Sequence, residues 1–365
     1  DWSTALFVLS TFPYLVFSLL PSIAMSDDSE KPSNSSKRRR KRDRFKEIAS
    51  KVKRMVTEKI HHSKDSGSES PYKGQFSDSE REYEPTVPSF RPPICQQSLK
   101  LQQDVGLSFS GCGFLGVYHF GVVKCFQRNG KGLINRVRRV SGTSAGSLVA
   151  AMFVLAPDEI EQSTNIMYDM ADELNTLKFG ALSPGFYLGE RLVKIVDDHL
   201  PQNISKADHR LFVSVTHHKT RENRLISVFP SRDYLIKSLN ASCYIPMYSM
   251  GINAQPPELD GQPYIDGGYT NNLPDFSDLR TITISPFSSN CDISPADETT
   301  TGFDWKMTLG NQYMKVNLRN IVRGAQALFP PSRQTLQHYH DQGYRDAFKF
   351  LLANDLLERD PGTSV

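Results

Sequence analysis

Ser144 stands in a sequence pattern that could make it a nucleophile. It lies in Gly142-Thr-Ser144-Ala-Gly146, a G-x-S-x-G pattern. In this pattern the serine occupies a tight turn between a strand and a helix, so its hydroxyl projects from the end of a sheet. The small residues two places before and after it let the helix pass close to the strand. On this motif alone, a mere small turn residue at position 144 remains an alternative.

A second motif offers a base for that serine. A short strand, Tyr264-Ile265-Asp266, ends in a carboxylate followed by Gly267-Gly268, with Asn271-Asn272-Leu-Pro behind it. A D-G turn of no chemical consequence is the structural alternative. The functional interpretation is that Asp266 accepts the proton of Ser144.

No histidine clearly completes a triad. In hydrolases with this elbow the histidine follows the acid along the chain, and only His338 and His340 follow Asp266, in a stretch with helical character. His119 precedes the serine and is the other candidate base. A structural role is favoured for all three, so the sequence predicts a Ser–Asp pair.

The run Gly111-Cys112-Gly113-Phe-Leu-Gly116 admits two interpretations. A dinucleotide site would need an acidic residue about 20 positions further on, but no Asp or Glu occurs between residues 105 and 157. Glycines can instead present backbone N–H groups to a substrate oxyanion, because no side chain blocks its approach. The five cysteines show no zinc-binding spacing, and we expect neither a metal nor a cofactor.

The elements around these motifs indicate an α/β fold. Residues 105–110 alternate in hydrophobicity as a strand does, and residues 117–128 carry a helical apolar face after the glycine run. Residues 138–141 and 147–155 repeat this order around Ser144. A strand, a glycine turn and a helix are the start of an α/β unit, and the order occurs twice.

The three motifs, in this order, resemble those of patatin-like phospholipases. Residues 105–359 look most like the adipose triglyceride lipase branch of that family. Cys112 and Leu115 depart from the plant-type first loop but agree with that branch. The similar runs are residues 111–118, 285–288, 317–320, 327–331 and 343–346.

The resemblance implies a three-layer α/β/α fold with a mostly parallel central sheet and a helical C-terminal segment. It implies a catalytic domain over residues 101–290, extended by residues 291–365. Ser144 would be the nucleophile, Asp266 the base, and the N–H groups of residues 111–113 the oxyanion hole. The supporting glycines would be Gly116, Gly142, Gly146, Gly267 and Gly268.

The function that this resemblance implies is hydrolysis of triacylglycerol to diacylglycerol and fatty acid in lipid-droplet lipolysis. Phospholipase A, retinyl esterase or transacylase activity are alternatives, as is a catalytically silent scaffold on lipid surfaces. An α/β-hydrolase-like coactivator protein is an implied partner, with location at droplets and in the cytoplasm. The slightly acidic residues 101–365, with 25 basic and 27 acidic side chains, give no support to nucleic-acid binding.

Residues 1–100 are expected to lie outside the catalytic domain. Residues 2–24 are uncharged and could be a membrane anchor or a product of upstream translation. Residues 25–100 contain 18 basic and 12 acidic side chains and predict a largely disordered basic tail. Within it, residues 43–60 have the periodicity of a basic amphipathic helix, which we expect to bind a lipid surface in place of a hydrophobic C-terminal extension.

Overall fold

The computed structural model describes residues 103–358, except residues 179, 184, 252–253, 298–305 and 316. The hydrophobic segment predicted at residues 1–24 and the amphipathic helix predicted at residues 43–60 lie outside this part of the chain. Within it, no helix is both long enough and apolar enough to cross a membrane.

Seven strands form one mixed, mostly parallel sheet. Its order is β5-β6-β3-β2-β1-β7, and β4 pairs with β3. The strands β7, β1, β2 and β3 run parallel, whereas β4 and β6 are antiparallel to β3. The strands are β1 Val105–Phe109, β2 Val137–Thr143, β3 Leu211–His217, β4 Asn223–Ile226, β5 Glu258–Leu259, β6 Gln262–Asp266 and β7 Arg280–Ile284.

Helices flank this sheet in a three-layer α/β/α arrangement, which confirms the predicted fold class. A separate hairpin is formed by β8 Lys306–Leu309 and β9 Gln312–Lys315. The helices are α1 Gly116–Asn129, α2 Lys131–Asn135, α3 Ala145–Leu155, α4 Ile160–Thr176, α5 Leu188–His199, α6 Arg232–Ser242, α7 Leu318–Leu328 and α8 Arg333–Ala353.

The central strands and the helix after the G-x-S-x-G turn are buried because their sequences are apolar. All five residues of β1 are buried, as expected for a central strand with neighbours on both sides. In α3, nine of the eleven residues are buried, and the other two, Leu148 and Leu155, are half-buried. The buried apolar side chains of α3 therefore hold this helix against β1, β2 and β3.

Strand register brings the sequence motifs to one edge of the sheet. Thr143, the last residue of β2, pairs with Ser214 in β3, and the next β3 residue, Val215, pairs with Asp266. Phe109 at the end of β1 pairs with Gly142. Ser144 and the glycine run therefore follow the ends of the neighbouring strands β2 and β1, and Asp266, the last residue of β6, lies one strand further along, on the other side of β3.

Helix α8 packs along α1 with almost no space between the two backbones. A Cβ atom on Gly121 would lie 2.0 Å from the carbonyl oxygen of His340, and one on Gly343 would lie 2.1 Å from that of Tyr118. The tyrosine hydroxyl also donates a hydrogen bond to Asp346 over 3.0 Å. The region expected to form a helical extension thus contains α7 and α8, together with the hairpin β8–β9.

Candidate active site

Ser144 occupies a strained turn between β2 and α3. Its φ and ψ are 52° and −130°, a conformation that a residue with a side chain rarely adopts. Two hydrogen bonds hold the turn. The N–H of Ser144 donates to the hydroxyl oxygen of Ser242 over 2.9 Å, and its carbonyl accepts from the hydroxyl of Ser147 over 2.7 Å. The arrangement has the geometry of a nucleophile elbow.

Glycines are required around this elbow because backbone atoms fill the space of a side chain. A Cβ on Gly142 would lie 2.3 Å from the carbonyl oxygen of Gly146, and a Cβ on Gly146 would lie 2.3 Å from that of Phe109. Gly116, at the start of α1, sits against Ala145, whose Cβ is 3.4 Å from the site of an added Cβ. The three glycines permit the close passage of helix and strand.

Asp266 is held at the end of β6 with its carboxylate buried. Its Oδ1 accepts the N–H of Gly268 over 2.7 Å, and its own N–H donates to the carbonyl of Tyr244 over 2.9 Å. A Cβ on Gly267 would lie 2.3 Å from the carbonyl oxygen of Ser214. The side chain is therefore fixed in one orientation by the D-G-G turn.

Burial raises the pKa of Asp266 from its ordinary value of 3.8 to about 6. Hydrogen bonds from the Gly268 N–H and the Ser144 hydroxyl oppose this rise because they favour the carboxylate. The Ser144 hydroxyl is thus close enough to the Asp266 carboxylate to favour its ionised form. A carboxylate with a pKa near 6 is a stronger base than one in water, yet it is still ionised at neutral pH.

The glycine run lies beside Ser144, but its N–H groups are not equivalent. A Cβ on Gly111 would lie 3.2 Å from the Cβ of Ser144. The N–H of Gly111 donates a hydrogen bond to the side-chain oxygen of Asn272 over 3.2 Å. Within the described residues, the N–H groups of Cys112 and Gly113 have no hydrogen-bond acceptor. Of the three donors expected from the sequence, these two are therefore available to a substrate oxygen.

Two polar chains support the site and were not predicted. The amide of Asn272 donates to Gln312 over 2.8 Å, and Gln312 donates to the hydroxyl of Ser285 over the same distance. The hydroxyls of Thr143 and Ser214 both donate to the carbonyl of Asn271, over 3.0 and 2.9 Å. The double asparagine behind the D-G-G motif was the only sequence signal for them.

The histidines do not contribute a base. His119 is fully buried, its Nε2 lies 2.9 Å from the carbonyl oxygen of Ser110, and burial lowers its pKa to about 4. His338 and His340 lie on α8, where the ring of His340 contacts Asp341. No contact among the described residues joins any of the three to Ser144 or Asp266.

Two thiols flank the serine. Cys243, at the end of α6, lies near Ser144 and Ser147, and Cys112 lies in the glycine run. Burial raises the pKa of both thiols well above the ordinary value, so both stay protonated at neutral pH. As thiols rather than thiolates, they are poor competitors for the role of nucleophile.

An apolar cavity opens beside Ser144. It is partly open to solvent and runs between α3, α4, α5 and α6. Most of its wall is aliphatic or aromatic, which suits hydrocarbon chains rather than charged ligands. Its lining includes Leu148, Met152, Met167, Leu192, Ile195 and Leu239.

Comparison with known proteins agrees with this geometry. The profile of the patatin-like phospholipases matches residues 107–274. The chain is 42% identical over 255 residues to patatin-like phospholipase domain-containing protein 4 of Homo sapiens, covering 70% of this chain and 99% of that protein. It is 39% identical over 254 residues to patatin-like phospholipase domain-containing protein 2 of Rattus norvegicus, covering 69% of this chain and 52% of that one.

A third relative has a transferase name. Over 251 residues the chain is 34% identical to 1-acylglycerol-3-phosphate O-acyltransferase Pnpla3 of Mus musculus, covering 68% of this chain and 59% of that protein. Identity above 30% extends over nearly the whole of the first relative and more than half of the other two. The chain therefore belongs to the patatin-like phospholipase family.

Proposed function

We propose that the protein is a serine acyl hydrolase that converts triacylglycerol to diacylglycerol and free fatty acid. The observation that carries the proposal is the strained Ser144, which lies close enough to the buried Asp266 to influence its pKa and opens onto an apolar cavity. The apolar wall suits an acyl chain, and Ser144 is part of the lining, where it would meet the ester carbonyl.

The residues divide the reaction between them. Asp266 accepts the proton of Ser144 as the serine oxygen attacks the ester carbonyl carbon. The N–H groups of Cys112 and Gly113 stabilise the oxyanion of the tetrahedral intermediate. Collapse breaks the ester bond, and the leaving alcohol takes the proton from Asp266. Water then loses a proton to Asp266, attacks the acyl-enzyme and releases the fatty acid, and the proton returns to Ser144.

Acyl transfer to an alcohol is the second candidate, because a relative at 34% identity is named as an acyltransferase. The two reactions share the acyl-enzyme and differ only in whether water or an alcohol attacks it. Location at lipid droplets and dependence on an α/β-hydrolase-like coactivator are further parts of the proposal. Both rest on the family resemblance.

The test compares the parent protein with Ser144→Ala on triolein, phosphatidylcholine and retinyl palmitate emulsions. We expect release of oleate from triolein by the parent alone. A parallel reaction with 1-acylglycerol-3-phosphate as acceptor reports transfer as a new diacyl product. Equal oleate release by the two proteins would refute the assignment of Ser144, and inactivity of the parent with coactivator present would favour the scaffold.

A further inference from the structure

Three segments line the cavity and also expose apolar side chains to solvent. Leu188 and Gly189 line the cavity, and the residue before them, Tyr187, is exposed. Tyr248 and Ser249 line it as well, and the residue before them, Met247, is also exposed.

The third segment is α7. Its last residue, Leu328, lines the cavity, whereas Leu318 and Ile321 at its other end are among the most exposed large apolar side chains in the described residues. Leu318 and Ile321 are three positions apart and therefore share a helix face. That face extends about 15 Å from the cavity wall, given the rise of an α-helix.

Hydrogen bonds join these segments into one surface. The N–H of Gly189 donates to the carbonyl of Ser249 over 2.9 Å, and the hydroxyl of Tyr248 donates to the carbonyl of Leu328. The rings of Tyr248 and Phe329 also meet edge to face, with centroids 6.4 Å apart. We call the exposed set Tyr187, Met247, Leu318 and Ile321 the apolar rim.

The charges around the apolar rim are unusual for this protein. Residues 180–189 and 243–257 contain no charged side chain, although 23% of the chain is charged and about six would be expected. Residues 312–328 contain three cations, Lys315, Arg319 and Arg323, and no carboxylate. Arg323 is buried against Asp297, and Arg319, whose side chain is largely exposed, also pairs with Asp297 over 3.4 Å. The surface thus combines apolar side chains with exposed positive charge.

We infer that the apolar rim docks the protein on a phospholipid-coated lipid surface and lets an acyl ester pass from that surface into the cavity. This inference rests on the proposed function. Apolar side chains would enter the acyl region, while Arg319 would stay among the phosphate groups. A lipid surface fits better than a protein partner, because the rim is continuous with a cavity whose substrate is dissolved in lipid.

The experiment measures flotation of the full chain carrying Ser144→Ala with triolein droplets coated in phosphatidylcholine. The inactive background keeps the lipid intact, and a neutral coat in high salt weakens any contribution from the basic residues 25–100. The rim variants are Met247→Glu and the pair Leu318→Glu with Ile321→Glu. The matched control is Leu352→Glu, because Leu352 and Leu318 are both 57% exposed. Leu352 lies on α8, and its neighbour Leu351 packs against Gly130. Gly130 precedes the start of β2, whereas Ser144 follows the end of that strand, so the control lies away from the site.

We expect Met247→Glu to lower the partition coefficient onto the droplets about tenfold, in line with the loss of one buried apolar side chain, and the pair, which loses two, to lower it further. The control should bind as the parent does. When Ser144 is retained, the same variants should hydrolyse water-soluble p-nitrophenyl butyrate at the parent's rate but lose activity on triolein emulsions. If the glutamate pair unfolds, Leu318→Ser with Ile321→Ser replaces it.

Flotation of the rim variants equal to the parent's would overturn the inference, as would an equal loss in Leu352→Glu. The inference would also be overturned if the rim variants floated as the parent does but no longer bound a protein partner. The rim would then be assigned to that partner. Because flotation needs no turnover, failure of the proposed lipase reaction would leave this measurement intact.

Discussion

The side-chain oxygen of Asn272 accepts a hydrogen bond from the backbone N–H of Gly111 over 3.2 Å. This contact ties the D-G-G end of β6 to the glycine run after β1. It occupies one N–H of the run, whereas the next two, those of Cys112 and Gly113, have no acceptor among the described residues. Asn272 is in turn held by Gln312. We therefore regard Asn272 as a positioning residue of the proposed oxyanion hole.

Removal of this contact should lower turnover more than substrate binding. For Asn272→Ala we expect kcat to fall about 10- to 100-fold, because a loosened oxyanion donor acts mainly in the transition state. The change in KM should be small. The measurement is steady-state kinetics on a soluble ester. Asn311→Ala is the control, since Asn311 bonds both backbone groups of Leu273 and does not contact the glycine run. Equal kcat losses in the two variants would contradict the positioning role.

The pKa of Asp266 predicts the acid limb of the pH profile. As the base must be ionised, kcat/KM should rise with pH and reach half its plateau near pH 6. Asn272→Asp should move this limb to higher pH, because both side chains lie about 3 Å from the site of an added Cβ on Gly268. A limb that stays at the same pH would argue against Asp266 as the titrating base.

The same raised pKa makes a prediction for stability. In the folded protein Asp266 binds its proton more tightly than in the unfolded chain, so stability falls as pH rises from about 4 to about 6. The two-unit difference corresponds to on the order of 3 kcal/mol. Asp266→Asn should therefore abolish turnover and raise Tm relative to the parent at pH 8, but not at pH 4. A lower Tm for the variant at pH 8 would show that the carboxylate stabilises the fold.

Gly146→Ala should unfold or strongly destabilise the protein. Its Cβ would meet the carbonyl oxygens of Phe109 and Ser110 at 2.3 and 2.6 Å, and these backbone atoms belong to the central strand and its end. We expect a loss of about 4 kcal/mol or more in the free energy of unfolding. Gly261→Ala, at φ +73° with open space around it, should lose only about 1 kcal/mol. Urea unfolding of both variants makes the comparison, and similar losses would refute the steric argument.

The acyl-chain length of the esters that the protein hydrolyses should depend on the space in the cavity. Ile195→Trp would fill part of it, because Ile195 lines the wall on α5. We expect hydrolysis of long-chain esters to fall at least tenfold, while p-nitrophenyl butyrate hydrolysis stays within twofold. The neighbouring Lys194→Trp is the control, since that side chain is exposed on the same helix. An equal effect on short and long esters would place the acyl chain elsewhere.

The local parts of the site could be predicted from the sequence because they depend on neighbours in the chain. The periodicity of residues 105–110 and 117–128 predicted β1 and α1 to within a residue at either end. The glycine spacing around Ser144 predicted a turn between strand and helix, and the structure places β2 and α3 there. Helix α3 begins two residues earlier than expected, because the turn at Ser144 leads directly into it.

The supporting contacts could not be predicted because they join distant parts of the chain. Ser242 receives the Ser144 N–H from 98 residues away, and Gln312 reaches Asn272 from a hairpin 40 residues further on. A lone serine at a helix end and a glutamine in a short strand carry no local signal. The prediction that the Gly111 N–H is available to a substrate was wrong for the same reason. Its acceptor, Asn272, is brought close only by the pairing of strands in the sheet.

The close contact of Gly121 with His340 also bears on how the protein folds in the cell. These residues are more than 200 positions apart, so at about 5 to 20 residues per second the ribosome completes α1 roughly 10 to 40 s before it makes α8. Throughout that interval the apolar face of α1 that α8 covers has no partner of its own. We therefore expect the nascent catalytic domain to depend on chaperones until translation passes residue 350.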